Sequence, residues 1–357
     1  MSSLSTSRLK HASQSQKKEF ELNTHVHGSP ADIPARAPQT FWCHDLVSTR
    51  DLGPKGVNAV LQLAAMMKSR PSDFWRALTG RQVVMFFEKP SLRTRLTFEA
   101  GMASLGGNAM FVDQTKERLD ARESLSDVAH NLERWVDLIV LRTFSQQTIE
   151  GMAQHASIPV INALSDLEHP CQALADYLTL AERYGDLRNR CLAYVGDGNN
   201  VAHSLLLTAA CLGSRIRIAT PRGYEPDSQI VADAYEIAAE TGAEIDLLTD
   251  PHEAVAGADA VYTDAWVSMG QEKEEQDRTE IFPPYQVNSE LMSEAAPHAV
   301  FMHCLPAHRG LEVTDEVMDS EHSLIFEQAE NRLHAQKAIL YLLMGGGDRL
   351  PARRAHA

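Results

Sequence analysis

Phe87-Glu88-Lys89-Pro90-Ser91-Leu92-Arg93-Thr94-Arg95 joins an apolar run to an amphipathic one, and the fold can be read outward from it. Gln82 to Phe87 (QVVMFF) is short and unbroken in its apolar character, as a buried strand is, while Thr94 to Leu105 (TRLTFEAGMASL) has helical apolar spacing. A strand therefore delivers a helix N-terminus. The first N–H groups of a helix lack intrahelical partners and the macrodipole is positive there, so an anion is favoured. Ser91 and Thr94 add hydroxyls, and Arg93 and Arg95 add forked guanidiniums suited to phosphate oxygens. Taken alone, these residues equally suit a Ser-capped helix with two solvated arginines, and the rest of the chain must separate the two readings.

After this stretch, strands and helices alternate. Asn108 to Asp113 (NAMFVD), Asp137 to Thr143 (DLIVLRT) and Pro159 to Leu164 (PVINAL) read as strands, with helices over Ser124 to Trp135 and Gln147 to His155 between them. Such βαβα alternation predicts a parallel sheet covered by helices. A longer helix, His169 to Tyr184, ends at Gly185 as a C-cap and suits a bridge between domains. The alternation then restarts: strands at Cys191 to Asp197, Arg215 to Thr220, Glu244 to Asp250, Ala260 to Ala265 and Ala299 to Leu305, with helices at Asn200 to Leu212 and Ser228 to Thr241.

On the N-terminal side, Leu52 to Met67 reads as an amphipathic helix. Residues 1–40 carry no apolar periodicity and read as a disordered extension. Arg8, Lys10, Lys17 and Lys18 precede the first acid, Glu19, which gives this segment a faint likeness to a transit peptide and so to mitochondrial import. The expected fold class is α/β: two domains, each a parallel sheet flanked by helices, joined by interdomain helices. The first domain spans 41–168, the interdomain helix 169–185 and the second domain 186–328; a helix over 329–346 returns to the first domain, and 347–357 form a tail.

Composition narrows the function. The net charge of -15 argues against non-specific nucleic-acid binding, so an anionic ligand must be drawn by a local arginine cluster. No apolar run reaches the ~20 residues of a membrane helix, and no membrane partner is expected. The 5 cysteines form no CxxC pair, which suggests neither a disulfide framework nor a zinc ribbon, and fits a reducing, cytoplasmic setting. No metal or organic cofactor is expected.

The polar clusters fall at strand ends and helix starts: Ser91 to Arg95, Leu141-Arg142-Thr143, His169-Pro170-Cys171-Gln172, Gly196-Asp197-Gly198-Asn199-Asn200, Asp264 to Gly270, His303-Cys304-Leu305-Pro306 and Glu330-Asn331-Arg332. In their order and spacing, from about Phe41 to the last helix, the chain resembles the aspartate/ornithine transcarbamylase family. The resemblance implies a first domain for carbamoyl phosphate and a second for an amino acid, here L-ornithine, assembled as homotrimers with sites at subunit boundaries. It implies that Ser91, Leu92, Arg93 and Thr94 hold the phosphate, Arg142 reaches phosphate and carbonyl oxygen, and His169 donates to that carbonyl. Gln172, the Leu305 carbonyl and Arg332 surround the carbamoyl unit, and Cys304 lies beside it. Asn200, Asp264, Ser268 and Met269 match the ornithine-binding residues. Arg142, His169, Asp264 and Cys304 are then the catalytic candidates. The chemistry is coherent: attack on a carbonyl builds an oxyanion, and each preorganised donor can supply ~3 to 4 kcal/mol. His169 and Gln172, three apart on one helical face, can converge on one ligand.

Two departures from the family pattern stand out. Leu92 replaces a threonine of the phosphate loop. Arg118, Leu119 and Asp120 occupy the place of a Gln or His followed by Leu-Gly, in a loop that reaches the neighbouring subunit's site, so Arg118 keeps a donor toward carbamoyl phosphate while Asp120 replaces a glycine. Other readings are carbamoyl transfer to putrescine or an acylated ornithine, and a catalytically silent binding subunit. GDGNN after a strand also suits a dinucleotide-binding oxidoreductase, but lacks the GxGxxG spacing. Cys304 suits either a small buried hydrophobe or, less well, an acyl-transfer nucleophile.

Overall fold

The structure is a computed structural model that describes residues 43–116, 118–119, 121–267 and 275–345. The N-terminal extension and the C-terminal tail expected from sequence lie outside the described residues.

The first sheet contains β1 (Gln82–Phe87), β2 (Asn108–Asp113), β3 (Leu138–Arg142) and β4 (Val160–Leu164), in the order β2-β1-β3-β4 and parallel throughout. Its helices are α1 (Gly53–Ser69), α2 (Leu92–Ser104), α3 (Leu125–Leu132) and α4 (Gln146–His155). The bridging helix is α5 (Pro170–Tyr184), closed by Gly185 at φ +75°, a conformation glycine adopts at little cost. The second sheet contains β5 (Cys191–Val195), β6 (Arg215–Ala219), β7 (Glu244–Leu248), β8 (Ala260–Tyr262) and β9 (Val300–Met302), in the order β7-β6-β5-β8-β9, again parallel. With it come α6 (Asn200–Leu212), α7 (Ser228–Thr241), the short α8 (Pro251–Val255), α9 (Glu275–Ile281), α10 (Ser289–Met292) and α11 (Asp315–Met318), and finally α12 (Ile325–Leu343).

Period-2 alternation explains how the two sheets share a core. In β1, Val83, Met85 and Phe87 face a central cluster while Val84 and Phe86 face an outer one. In β5, Leu192 and Tyr194 face that same central cluster while Cys191, Ala193 and Val195 face the far side of the second sheet. The inner strands β1, β3 and β5 are covered on both faces, which is why they read as nearly unbroken apolar runs, while the edge strands β2 and β7 keep exposed residues. α5 and α12 fill the middle: α12 packs on α1, α2 and α5, and α5 also packs on α6. Phe87, 1% exposed, lies directly under the opening loop; truncating such a side chain costs ~3–5 kcal/mol.

The last helix begins at Ile325, earlier than the expected 329, because Ile325 and Gln328 are themselves buried anchors. Arg332 thus sits well inside a helix rather than near its start. α8, α10 and α11 were not legible in the sequence; runs of four or five residues carry no usable period. Among the described residues no helix is long and apolar enough to cross a membrane.

Candidate active site

In both sheets the strand order reverses beside the first strand, between β1 and β3 and between β5 and β8. Ligands of open parallel sheets bind beyond the carboxyl ends of strands at such points. A cavity of about 600 Å³ opens there, with one wall from each sheet.

The first wall is cationic. Ser91 caps α2, its Oγ accepting from the Thr94 N–H at 3.2 Å, so Leu92 and Arg93 head the helix with their N–H groups toward the cavity end. Arg142 closes β3, where the pairing register shifts between Leu141 and Arg142; such an irregularity re-aims a side chain. Its Nε donates to the Lys89 carbonyl at 3.2 Å. Burial, and then the Arg332 and Arg93 charges, pull its pKa down to about 9, so it is still a cation at neutral pH. Arg332 reaches in from α12, Nη2 donating to Thr94 Oγ1 at 2.7 Å and Nη1 to Gln172 Oε1. Among the described residues no carboxylate forms an ion pair with Arg93, Arg142 or Arg332. Burial also pulls the Arg332 pKa down, and three guanidiniums gathered without a carboxylate partner among the described residues define an anion site.

His169 stands at the N-cap of α5, its backbone N–H held by Ser204 Oγ at 2.8 Å and its ring Nδ1 buried without a partner. Burial, then Arg332, Arg142 and Lys89, hold the imidazole well below its ordinary pKa, so it enters the site neutral.

The second wall is built after β5, β8 and β9. Asn199 caps α6 with its Oδ1 and donates from Nδ2 to Asp264 Oδ2 at 2.9 Å. Cys304 Sγ donates to the other oxygen, Asp264 Oδ1, at 3.0 Å, and burial together with that carboxylate pushes the thiol's pKa well up. Asn200 donates from Nδ2 to the Ser165 carbonyl at 2.6 Å, tying the two walls together. Leu305 has φ +61°, a strained backbone for a leucine, and lines the cavity with Pro306.

The glycines of GDGNN have structural reasons. Gly196 has φ +145°, and a Cβ on Gly198 would lie 2.4 Å from Pro226 N, so backbone fills the space a cofactor phosphate would need. Asp197 is occupied as well, its Oδ2 accepting from Arg278 Nη1 at 2.7 Å in a buried pair. The dinucleotide reading has no room here. Asp264, His303 and Cys304 offer ligand atoms within 4.8 Å of one another, the one described cluster able to approach a metal ion. His303, however, accepts at Nδ1 from the Leu305 N–H and turns Nε2 to Glu312 at 3.3 Å, away from that role.

Twelve of the residues singled out by sequence line this one cavity: Ser91, Leu92, Arg93, Thr94, Arg142 and His169 with Gln172 and Arg332, and Asn200, Asp264, Cys304 and Leu305 opposite. Arg118 does not; it is exposed and outside the cavity of its own chain. Ser268, Met269 and Asp120 lie outside the described residues. Sequence reasoning missed Lys89 and His308, which also line the cavity, and Asp176 beneath Gln172; the last had a signal, the i, i+4 spacing of 172 and 176 on one helix.

The carbamoyl-phosphate-binding domain of the aspartate/ornithine carbamoyltransferases matches residues 44–182, and their Asp/Orn-binding domain matches residues 188–343. The chain belongs to this family. It is 49% identical over 304 residues to the ornithine carbamoyltransferase of Pyrococcus abyssi, covering 85% of this chain and 96% of that one. Against its counterpart from Shewanella oneidensis it is 50% identical over 297 residues, covering 83% and 98%. The solved ornithine carbamoyltransferase from Pyrococcus furiosus superposes with a TM-score of 0.82 at 48% identity, covering 86% of this chain and 98% of that one.

Proposed function

We propose that this chain transfers the carbamoyl group of carbamoyl phosphate to the side-chain amine of L-ornithine, giving L-citrulline and phosphate. The observation that carries this reading is the cavity with two unlike walls: an uncompensated guanidinium cluster at a helix N-terminus, facing a carboxylate, a thiol and a carboxamide.

The α2 N-terminus, Ser91, Arg93 and Thr94 hold the phosphate, and Arg142 spans phosphate and carbonyl oxygen. Neutral His169 donates to that oxygen, and Gln172 with the Leu305 carbonyl accepts from the carbamoyl NH₂. Asn200 meets the α-carboxylate of ornithine, while Asp264 and Cys304 receive its amines. The amine lone pair attacks the carbonyl carbon, forming C–N and moving the C=O electrons onto oxygen; these then return as the C–O bond to phosphate breaks, and phosphate leaves with the electron pair and takes the proton shed by the new C–N nitrogen. Arg142 and His169 stabilise the oxyanion between these steps. An alkylammonium of pKa ~10.4 must lose a proton first, which costs roughly 4.6 kcal/mol at pH 7. The Asp264–Cys304 pair stands where that proton is given up.

A trimer completes the site on this reading, with Arg118 of one subunit serving its neighbour; sedimentation of the purified chain tests the assembly. The test of the reaction is citrulline formation from carbamoyl phosphate with a panel of amines. Ornithine is expected to exceed putrescine and N-acetylornithine in kcat/KM by at least about 10²-fold, because putrescine leaves Asn200 unmatched and acylation removes a charge from beside Asp264. Equal turnover of either competitor overturns the assignment of the amine.

A further inference from the structure

Beneath Gln172, and outside the cavity lining, lies a carboxylate that the reaction scheme leaves unused. Asp176 is wholly buried, and three donors converge on it: Gln172 Nε2 and Gln328 Nε2 each at 2.7 Å from Oδ1, and the Tyr262 hydroxyl at 3.1 Å from Oδ2. We propose that Asp176 is a positioning residue, whose carboxylate fixes the amide of Gln172 so that Oε1 rather than Nε2 faces the carbamoyl group.

Burial lifts the Asp176 pKa to about 7, and the Gln172, Gln328 and Tyr262 donors pull the other way. Both of its oxygens meet donors, and a carboxylate oxygen in that position accepts, so an amide docked on it must turn its NH₂ inward and its oxygen away. Gln172 Oε1 is thereby directed to the cavity, where one lone pair takes Arg332 Nη1 and the second is left for a ligand N–H. Arg332 alone would not suffice as the guide, because it also serves Thr94 and faces the anion. The same carboxylate orients Gln328, whose Oε1 then accepts from the His303 N–H at 3.0 Å; Gln328 Nε2 also reaches the Tyr262 hydroxyl at 3.0 Å. One buried group thus sets the polarity of an amide on each side of the cavity floor, on α5 and on α12, and the second holds the strand end that presents Cys304. A purely apolar replacement would pack the helices and leave both amides free to turn.

This inference rests on the proposed reaction, and its test separates the two. Equilibrium dissociation constants for carbamoyl phosphate and for inorganic phosphate are measured on the full chain and on Asp176→Ala, Asp176→Asn, Gln172→Ala and the Asp176→Ala/Gln172→Ala pair. Asp176→Ala should weaken carbamoyl phosphate about tenfold, the scale of one lost hydrogen bond at a buried group, with phosphate changed less than about twofold. Asp176→Asn can turn its carbonyl to both amides and should stay within about threefold of the parent. The double variant should bind carbamoyl phosphate no more weakly than Gln172→Ala alone, since Asp176 acts through Gln172. If Asp176→Ala does not fold, Asp176→Ser, polar but too short to reach Gln172, takes its place. Parallel losses for both ligands, or additive losses in the double variant, would make Asp176 a packing residue and overturn the proposal. Failure of the parent chain to bind carbamoyl phosphate would instead sink the proposed reaction.

Discussion

The two walls of the cavity solve opposite problems. The wall from the first sheet is electrostatically unfinished: Arg93, Arg142 and Arg332 crowd together and meet no carboxylate among the described residues. The wall from the second sheet is internally settled, with Asp264 taking donors from Asn199 and Cys304 at its two oxygens, and Asp197 neutralised by Arg278. An unfinished wall gains from any anion of the right shape. A settled one must exchange existing hydrogen bonds for those of a ligand. On the proposed reaction this difference favours an order, in which carbamoyl phosphate enters first, relieves the repulsion and supplies one face of the pocket for the amino acid.

The largest expected effect tests whether the walls act separately. Asp264→Ala should lower kcat for citrulline formation by at least about 10²-fold, the usual scale for losing a group that handles a proton. Its carbamoyl phosphate dissociation constant should stay within about twofold; a parallel loss of binding would break the division between the walls.

On the other wall, Arg93→Ala should weaken carbamoyl phosphate at least about tenfold by removing a charge-assisted contact worth ~1.5–3 kcal/mol. Inorganic phosphate should suffer comparably if, as proposed, the arginine meets the phosphate and not the carbamoyl end. A variant that loses only ornithine affinity would place Arg93 on the wrong wall.

A smaller effect comes from His169. Its folded pKa is depressed, so as pH falls below about 6.5 the unfolded chain takes up a proton that the folded chain refuses. Stability therefore falls on acidification through that range, and the part due to His169 is the difference between the parent and His169→Gln in urea midpoints from pH 7 to pH 5.5. Bound phosphate should shrink this difference by offsetting the neighbouring guanidiniums. A difference that is flat with pH would show His169 to be accessible to protons in the folded chain.

The smallest change is expected at Leu92. Its side chain is 72% exposed, so on the proposed reading the position serves phosphate through its backbone N–H and not through packing. Leu92→Thr should leave kcat/KM within about threefold or raise it slightly, and a tenfold loss would reveal a packing partner, such as a neighbouring subunit.

The same contrast governs what the sequence disclosed. β1, β2, α6 and α7 begin and end where their apolar periods and caps predict, so the strand end that leads to the first wall and the helix start that carries Asn200 of the second were both legible. The lining residues of both walls could be named, save that the start of α12 was placed late and Arg332 with it. What braces the second wall could not: a buried ion pair between residues 81 positions apart, and the close approach of Gly198 to residues 225 and 226. None of these is a local signal. Asp176 did carry a local signal in its spacing from Gln172, but a carboxylate inside an amphipathic helix looks solvent-facing until the return of α12 buries it.

The shared core beneath the two sheets has a thermodynamic consequence. Because Met85, Tyr177, Tyr194 and Leu340 belong to one continuous cluster, the outer cluster of each half is backed by a core that both sheets share, and neither half can melt without opening it. Heat should meet a single cooperative transition, with calorimetric and van't Hoff enthalpies in agreement. A ligand touching only the first wall would then raise the melting temperature reported by a probe in the second, by mass action alone and without any rearrangement between them.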